Sequence, residues 1–236
     1  GRAGGGTTNL LFRDGQWVST QASLGGTVVN CAGGVAPWGT WLTCEEFLQF
    51  GEPFLYDSDP DRDHGYVYEV RPDPNQTTAQ PIRAMGRFSH EAVAVDPATS
   101  IVYMTEDNRN KSALYRFVPN DRGARPGSLE NGGVLQAARV VGMSRADLIT
   151  PQIGDAYRLE WVTIAEPEKN ARFAPSSLPD VEAVDVISGP FAQAWAAGCL
   201  RMSRGEGIEY SRGQFYIVDT GAGFDGDGRR GRGDGA

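Results

Sequence analysis

Three strand-forming runs crowd into residues 91–118, and no other feature of the 236-residue chain limits its fold so sharply. Glu91-Ala92-Val93-Ala94-Val95 leads into the turn Asp96-Pro97-Ala98-Thr99-Ser100, Ile101-Val102-Tyr103-Met104-Thr105 returns, and Ala113-Leu114-Tyr115-Arg116-Phe117-Val118 follows. A parallel crossover needs a dozen or more residues. These gaps are too short for one, so the runs read as an antiparallel meander. Gly65–Val70, Val134–Val141 and Trp161–Ile164 read as further strands, and short helices fit only at Ser144–Ile149 and Phe191–Ala197. The 31 glycines agree. Each interior Gly costs a helix about 1 kcal/mol relative to Ala, whereas turns use Gly at positive φ. The expected fold class is all-β.

Charge narrows the partners. There are 22 Lys+Arg against 30 Asp+Glu, a net −8, and only Lys111 and Lys169 are lysines. Nucleic acids and anionic membranes reward basic patches, so neither is expected, whereas a cation site fits. Val28–Leu42 comes nearest to a long apolar run and is broken by Asn30, three glycines and Pro37, so no transmembrane helix is expected. The opening Gly1-Arg2-Ala3-Gly4-Gly5-Gly6 has no start Met and no apolar signal core, which reads as a trimmed precursor or a fragment. Cys31, Cys44 and Cys199 include no CxxC pair, leaving one disulfide plus a free thiol, or a thiolate ligand, as alternatives.

A weak internal repeat adds a geometric expectation. Ser89-His90-Glu91-Ala92-Val93, a turn, then Val102–Asp107 lies over Arg204-Gly205-Glu206-Gly207-Ile208, a turn, then Phe215–Thr220; Glu91 to Thr105 is 14 positions and Glu206 to Asp219 is 13. A third copy runs from Asn30-Cys31-Ala32-Gly33-Gly34 to Trp41–Glu46, with Cys31 in place of the Glu. The starts at 31, 91 and 206 leave room for a fourth copy without the signature in the second gap. Repeated small antiparallel sheets build β-propellers, whose innermost strands surround one axis. Cys31, Glu91 and Glu206 would then converge. The densest chemistry lies at Asn30–Glu46, where two thiols and two adjacent carboxylates flank a Gly-Gly turn. Thiolate suits iron and carboxylate suits calcium, and buried inert cysteines in a strand-turn-strand are the plain structural alternative.

The string Asn-Cys-Ala-Gly-Gly-x-x-Pro-Trp-Gly-Thr-Trp-Leu-Thr-Cys-Glu-Glu at 30–46 resembles the signature of PhoX-type bacterial alkaline phosphatases. Five further matches follow the family order: Gly6–Leu10, His64–Val70, Ser89–Ala92, Tyr103–Asn108 and Arg204–Gly207. Ala36 departs from the family's usual Thr. The resemblance implies a six-bladed β-propeller, exported through the twin-arginine route to the periplasm or outside the cell, that hydrolyses phosphate monoesters at alkaline pH. It further implies an iron and calcium cluster on the axis, with Cys31 as an iron thiolate, Glu91 and Glu206 as carboxylate ligands, and Arg204 as a phosphate contact. Partners would be small phosphorylated substrates, and the complete protein a monomer.

Around that core, Glu45 or Glu46 is expected to bind calcium, and Glu106 or Asp107 is either a further ligand or part of a turn. His90 should point away from Glu91, because successive strand residues face opposite ways. Cys44 should face a blade interior and Cys199 the core. The acidic run Asp57–Gly65 fails the EF-hand pattern, having Arg62 where Gly is required and Tyr68 where Glu is, and reads as a surface loop. Residues 1–220 are expected to form an incomplete propeller of about four blades, and the Gly/Asp/Arg-rich 221–236 a disordered or aberrant tail. Such a chain is expected to be inactive or poorly soluble by itself. The competing functions are a non-catalytic calcium- or partner-binding propeller and an inactive fragment of the phosphatase.

Overall fold

A computed structural model describes residues 3–50 and 63–231, which hold fourteen strands and one α-helix. In chain order these are β1 (Gly5–Arg13), β2 (Gln16–Thr27), β3 (Asn30–Val35), β4 (Trp41–Glu45), β5 (Val67–Val70), β6 (His90–Val95) and β7 (Val102–Glu106). Then come β8 (Leu114–Pro119), β9 (Gly133–Val140), β10 (Leu159–Thr163), β11 (Arg172–Phe173), β12 (Val186–Ile187), α1 (Gly189–Ala196), β13 (Gly205–Ser211) and β14 (Gln214–Asp219). The all-β expectation holds at the level of a mostly β fold.

The meander read from residues 91–118 is β6-β7-β8, and β9 and β10 extend it by antiparallel pairing. Within the second gap of the repeat, β9 and β10 thus extend an existing sheet, and β11 and β12 pair as a separate two-stranded sheet before α1. The two sheets expected from copies one and two are joined. An eight-stranded mixed sheet runs β10-β9-β8-β7-β6-β3-β4-β5, and its one parallel contact is Gly33 against Ala92. That contact requires glycine. A Cβ on Gly34 would enter the Val93 carbonyl oxygen, and one on Gly33, at φ +60°, would enter that of Leu42. The turn beyond it is held by Glu69, whose carboxylate accepts from the Trp38 indole at 2.7 Å, the Thr40 hydroxyl at 2.6 Å and the Gly127 N–H at 2.6 Å.

Under this sheet, Leu42, Phe88, Tyr115, Phe117, Leu135 and Ile164 pack with Phe191, Ala194 and Trp195 of α1. Ser188 caps that helix by accepting from the Phe191 N–H, and Pro190 occupies its first turn, both ordinary start signals. The helix expected at Ser144–Ile149 is instead a run of turns with an isolated bridge from Asp147 to Arg201. β13 and β14 form a separate hairpin, with Ile208 packed on Ala92 and Ala94 of β6. A second separate hairpin, β1-β2, turns at Asp14 and Gly15, both at positive φ, and exposes the Phe12–Trp17 ring pair at its tip.

The tail differs from the structureless segment its composition suggests, as far as residue 231. The Gly223 N–H donates to the Ile149 carbonyl at 2.7 Å, and Arg230 pairs with Asp147. Asp147 also binds Arg201, which is fully buried and reaches Asp180 at 2.8 Å. Charge anchors this stretch where apolar surface is scarce. Most of the acidic run lies outside the described residues. Of its end, Asp63 pairs with Arg87 at 2.8 Å.

The β3-β6 contact should be the least forgiving backbone site. Gly34→Ala is expected to cost about 3 kcal/mol or more through overpacking against backbone. Gly39→Ala, at φ +85° with open space around it, should cost only the left-handed penalty of about 1–2 kcal/mol. Thermal or urea denaturation of both variants checks the order, and equal losses would refute it.

Candidate metal centre

Cys31, Glu91 and Glu206 are each the second residue of their strand, in β3, β6 and β13. The local geometry repeats closely. In the pairs β3-β4, β6-β7 and β13-β14 the first strand advances three residues while its partner advances two, from Cys31 to Gly34, His90 to Val93 and Gly205 to Ile208. An extra residue of this kind is a β-bulge, which re-aims side chains. Beside each bulge the partner strand ends on a backbone clasp. The N–H groups of Glu46, Asp107 and Thr220 donate to the carbonyls of Val29, Ser89 and Arg204 at 3.0, 3.0 and 3.1 Å. Val29 and Arg204 both hold positive φ, +41° and +61°, immediately before the strand that carries the functional side chain.

These devices bring five acidic or thiol side chains together. The Cys31 Sγ donates to Glu91 Oε1 at 3.0 Å. Ligand atoms of Cys31, Glu46 and Glu91 lie within 4.8 Å of one another, as do those of Glu91, Asp107 and Glu206, so Glu91 belongs to both groups. Among the described residues, Arg204 is the cation paired with this group: it forks onto Asp107 at 2.9 and 3.1 Å and reaches Glu206 Oε1 at 2.6 Å.

The electrostatics follow from crowding. Burial first, then the charges of Glu206, Glu46 and Asp107, push the Glu91 carboxyl above its ordinary range, and burial with Asp107 and Glu206 does the same to Glu46. Burial and the Glu91 carboxylate raise the Cys31 thiol to about 12. Arg204 is held more firmly charged by Asp107. Such a set fits the cations the sequence suggests, since clustered hard carboxylates suit calcium, a thiolate suits iron, and either cation relieves the repulsion that raises these groups.

The structure gathers Cys31, Glu46, Glu91, Glu206 and Arg204, and it does not bring Glu45 with them. Glu45 is fully buried and accepts from the Val28, Gly65 and Tyr66 N–H groups at 3.1, 2.7 and 3.0 Å and from His64 at 2.8 Å. Strand alternation separates it from Glu46, and no free acceptor position faces the cluster. Glu106 is likewise buried, accepting from the Ser188 and Tyr115 hydroxyls at 2.7 and 2.9 Å, and burial raises it to about 7. Its neighbour Asp107 is the one that joins the cluster. His90 turns away, stacked on Phe88 at 3.6 Å between ring centroids, and burial lowers it to about 3. Cys44, opposite Cys31, and Cys199 are buried free thiols. Thr220 was not singled out by the sequence, yet its hydroxyl donates to Glu206 at 2.9 Å. The repeat carries its signal, because laying Val102–Asp107 over Phe215–Thr220 sets Thr220 on Asp107, and the pairing sets Glu106 and Asp219 at equivalent places.

A solved structure with this architecture is described as Pseudomonas fluorescens PhoX in complex with vanadate, a transition state analogue. It is 25% identical, with a TM-score of 0.50, over 83% of this chain and 40% of that one. The chain thus spans well under half the length of that relative. Comparison with curated proteins gives no match. The family model described as alkaline phosphatase PhoX matches residues 3–236. The chain belongs to the alkaline phosphatase PhoX family.

Proposed function

We propose that this chain carries metal-binding residues of a phosphatase that hydrolyses phosphate monoesters, with its three strand units as blades of a propeller. The observation that carries the reading is the convergence of Cys31, Glu91 and Glu206, each the second residue of its strand, with Arg204 among them. The relative's vanadate supports it, since vanadate mimics a phosphoryl group in transfer. Cys31 with Glu91 would hold iron, and Glu46, Asp107 and Glu206 calcium, with Glu91 able to serve both. Bound, these cations would neutralise phosphoryl oxygens and the charge that develops during transfer.

The chain's own residues set the rest. Four carboxylates against one guanidinium repel a phosphate dianion, so substrate affinity depends on the cations those carboxylates hold. Arg204 supplies N–H donors in a fork that matches two phosphoryl oxygens. Asp107 aims that fork, and the positive-φ backbone of Arg204 is fixed by its N–H to the Ser112 hydroxyl at 3.1 Å and its carbonyl to Thr220. The Cys31–Glu91 hydrogen bond keeps the proton of the thiol on the side facing the carboxylate until a cation replaces it.

Elemental analysis of the purified chain should find iron and calcium, and Glu206→Gln should lose calcium; in the phosphatase whose residues this chain carries, the same change should also abolish hydrolysis of p-nitrophenyl phosphate. A metal-free wild type whose properties Glu206→Gln leaves unchanged ends the proposal. Arg204→Met should lower kcat/KM by about 10²–10³, the scale of losing one preorganised charge-stabilising donor. It should retain or tighten calcium, because it removes the positive charge beside Asp107 and Glu206. Loss of metal together with activity would show that Arg204 builds the site instead of contacting substrate. A non-catalytic cation-binding unit would bind calcium and show no turnover in either form.

A further inference from the structure

A second tier of carboxylates lies one residue back from the first. Glu45, Glu106 and Asp219 close β4, β7 and β14, facing Asn30, His90 and Gly205, the residues immediately before Cys31, Glu91 and Glu206. Each is followed by a residue of the cluster or its rim: Glu46, Asp107 and Thr220. Their hydrogen bonds lead away from the centre and into the surrounding chain. Glu45 accepts from Val28 and from the 64–66 segment, tying the entry of β3 to the approach to β5. Glu106 accepts from the Ala113 N–H, Tyr115 and Ser188, tying β7 to β8 and to the cap of α1. Asp219 accepts from the Ser203 N–H at 3.1 Å, beside Arg204. The parallel is positional: Val28 and Ser203 each stand three residues before the functional residue of their strand, Cys31 and Glu206. In the middle copy the Phe88 N–H, at the same place, goes to the Gly65 carbonyl instead.

We propose that Glu45, Glu106 and Asp219 are positioning residues of the centre, each fixing the end of one strand so that the next side chain and the bulged one opposite meet at ligand distance. This rests on the metal-binding reading above. It assigns Glu45 a part different from direct coordination, and it gives Glu106 and Asp219 a part in the site without contact to it. A carboxylate can accept several donors at once. The corresponding amide replaces one acceptor oxygen by a donor and so breaks the clasp without changing its size.

The test uses the full chain with Glu45→Gln, Glu106→Gln and Asp219→Asn, and Leu129→Ala as a buried core control. Two quantities are read: cobalt(II) affinity from thiolate-to-cobalt absorption, and the rate at which iodoacetamide modifies Cys31, the one thiol that is not fully buried. Each amide variant should weaken cobalt by about 10-fold or more, the usual effect of losing a ligand's supporting partner, and should speed Cys31 alkylation severalfold by freeing it from Glu91. Leu129→Ala should lower Tm and leave both readings at wild-type values. Amide variants that lose only Tm, or a control that moves both readings equally, overturn the proposal. If wild type takes up no cobalt, the metal reading fails while the alkylation arm still decides the positioning. Should the fully buried sites not tolerate the amide, Asp219→Asn, in the less enclosed hairpin, carries the same two outcomes.

Discussion

The approach of β3 to β6 is the contact on which the rest of the structure depends. It joins two antiparallel meanders through a single parallel step at Gly33 and Ala92, and only backbone without side chains can come so close. From it follow the continuous sheet, the shared core beneath Phe88 and Tyr115, and the 3.0 Å separation of Cys31 from Glu91. The Gly-Gly of the long motif is therefore a packing requirement. The thiol and carboxylate beside it are brought together as a consequence.

That gathering works against stability. Four carboxylates and a thiol share a small volume with one guanidinium, and burial together with the neighbouring charges raises Glu91, Glu46 and Cys31. Positive φ at Val29 and Arg204 adds backbone strain of order 1–3 kcal/mol at each. The offset comes from elsewhere: an apolar core under the sheet, and buried carboxylates that are well satisfied, such as Glu45, Glu69 and Glu106. Natural folds commonly concentrate such tension where they act and hold it with a rigid surround.

Much of this was legible in the residues. Alternating apolar runs mark β6, β7 and β8, and the repeat sets Cys31, Glu91 and Glu206 at like places in their strands, which lie in two overlapping side-chain groups that share Glu91. Three things were not. Register at the bulges is set by tertiary pairing, so the hydrogen bond of Thr220 to Glu206 is not marked by residue type alone. Glu45 and Glu46 are chemically identical neighbours, and only the donors around Glu45 show which one faces inward. The joining of copies one and two into one sheet depends on a long-range contact that no local pattern encodes. The β1-β2 hairpin is a different case, since Asp14-Gly15 between strand formers is a strong local turn signal.

The three bulged strands repeat position without repeating chemistry. Around one backbone plan stand a thiol with a carboxylate at Cys31 and Glu46, two carboxylates at Glu91 and Asp107, and a carboxylate with a hydroxyl at Glu206 and Thr220. Such an array has a direction, polarisable at one pole and hard at the other, with a doubly acidic middle shared by both. Because the clasp that presents each pair is made by main-chain atoms, a side chain at one pole can change without moving the other two. Under the proposed function, the cation preference of each pole would then be set by its own side chains and by the Glu91 that both share, on a backbone plan that stays the same.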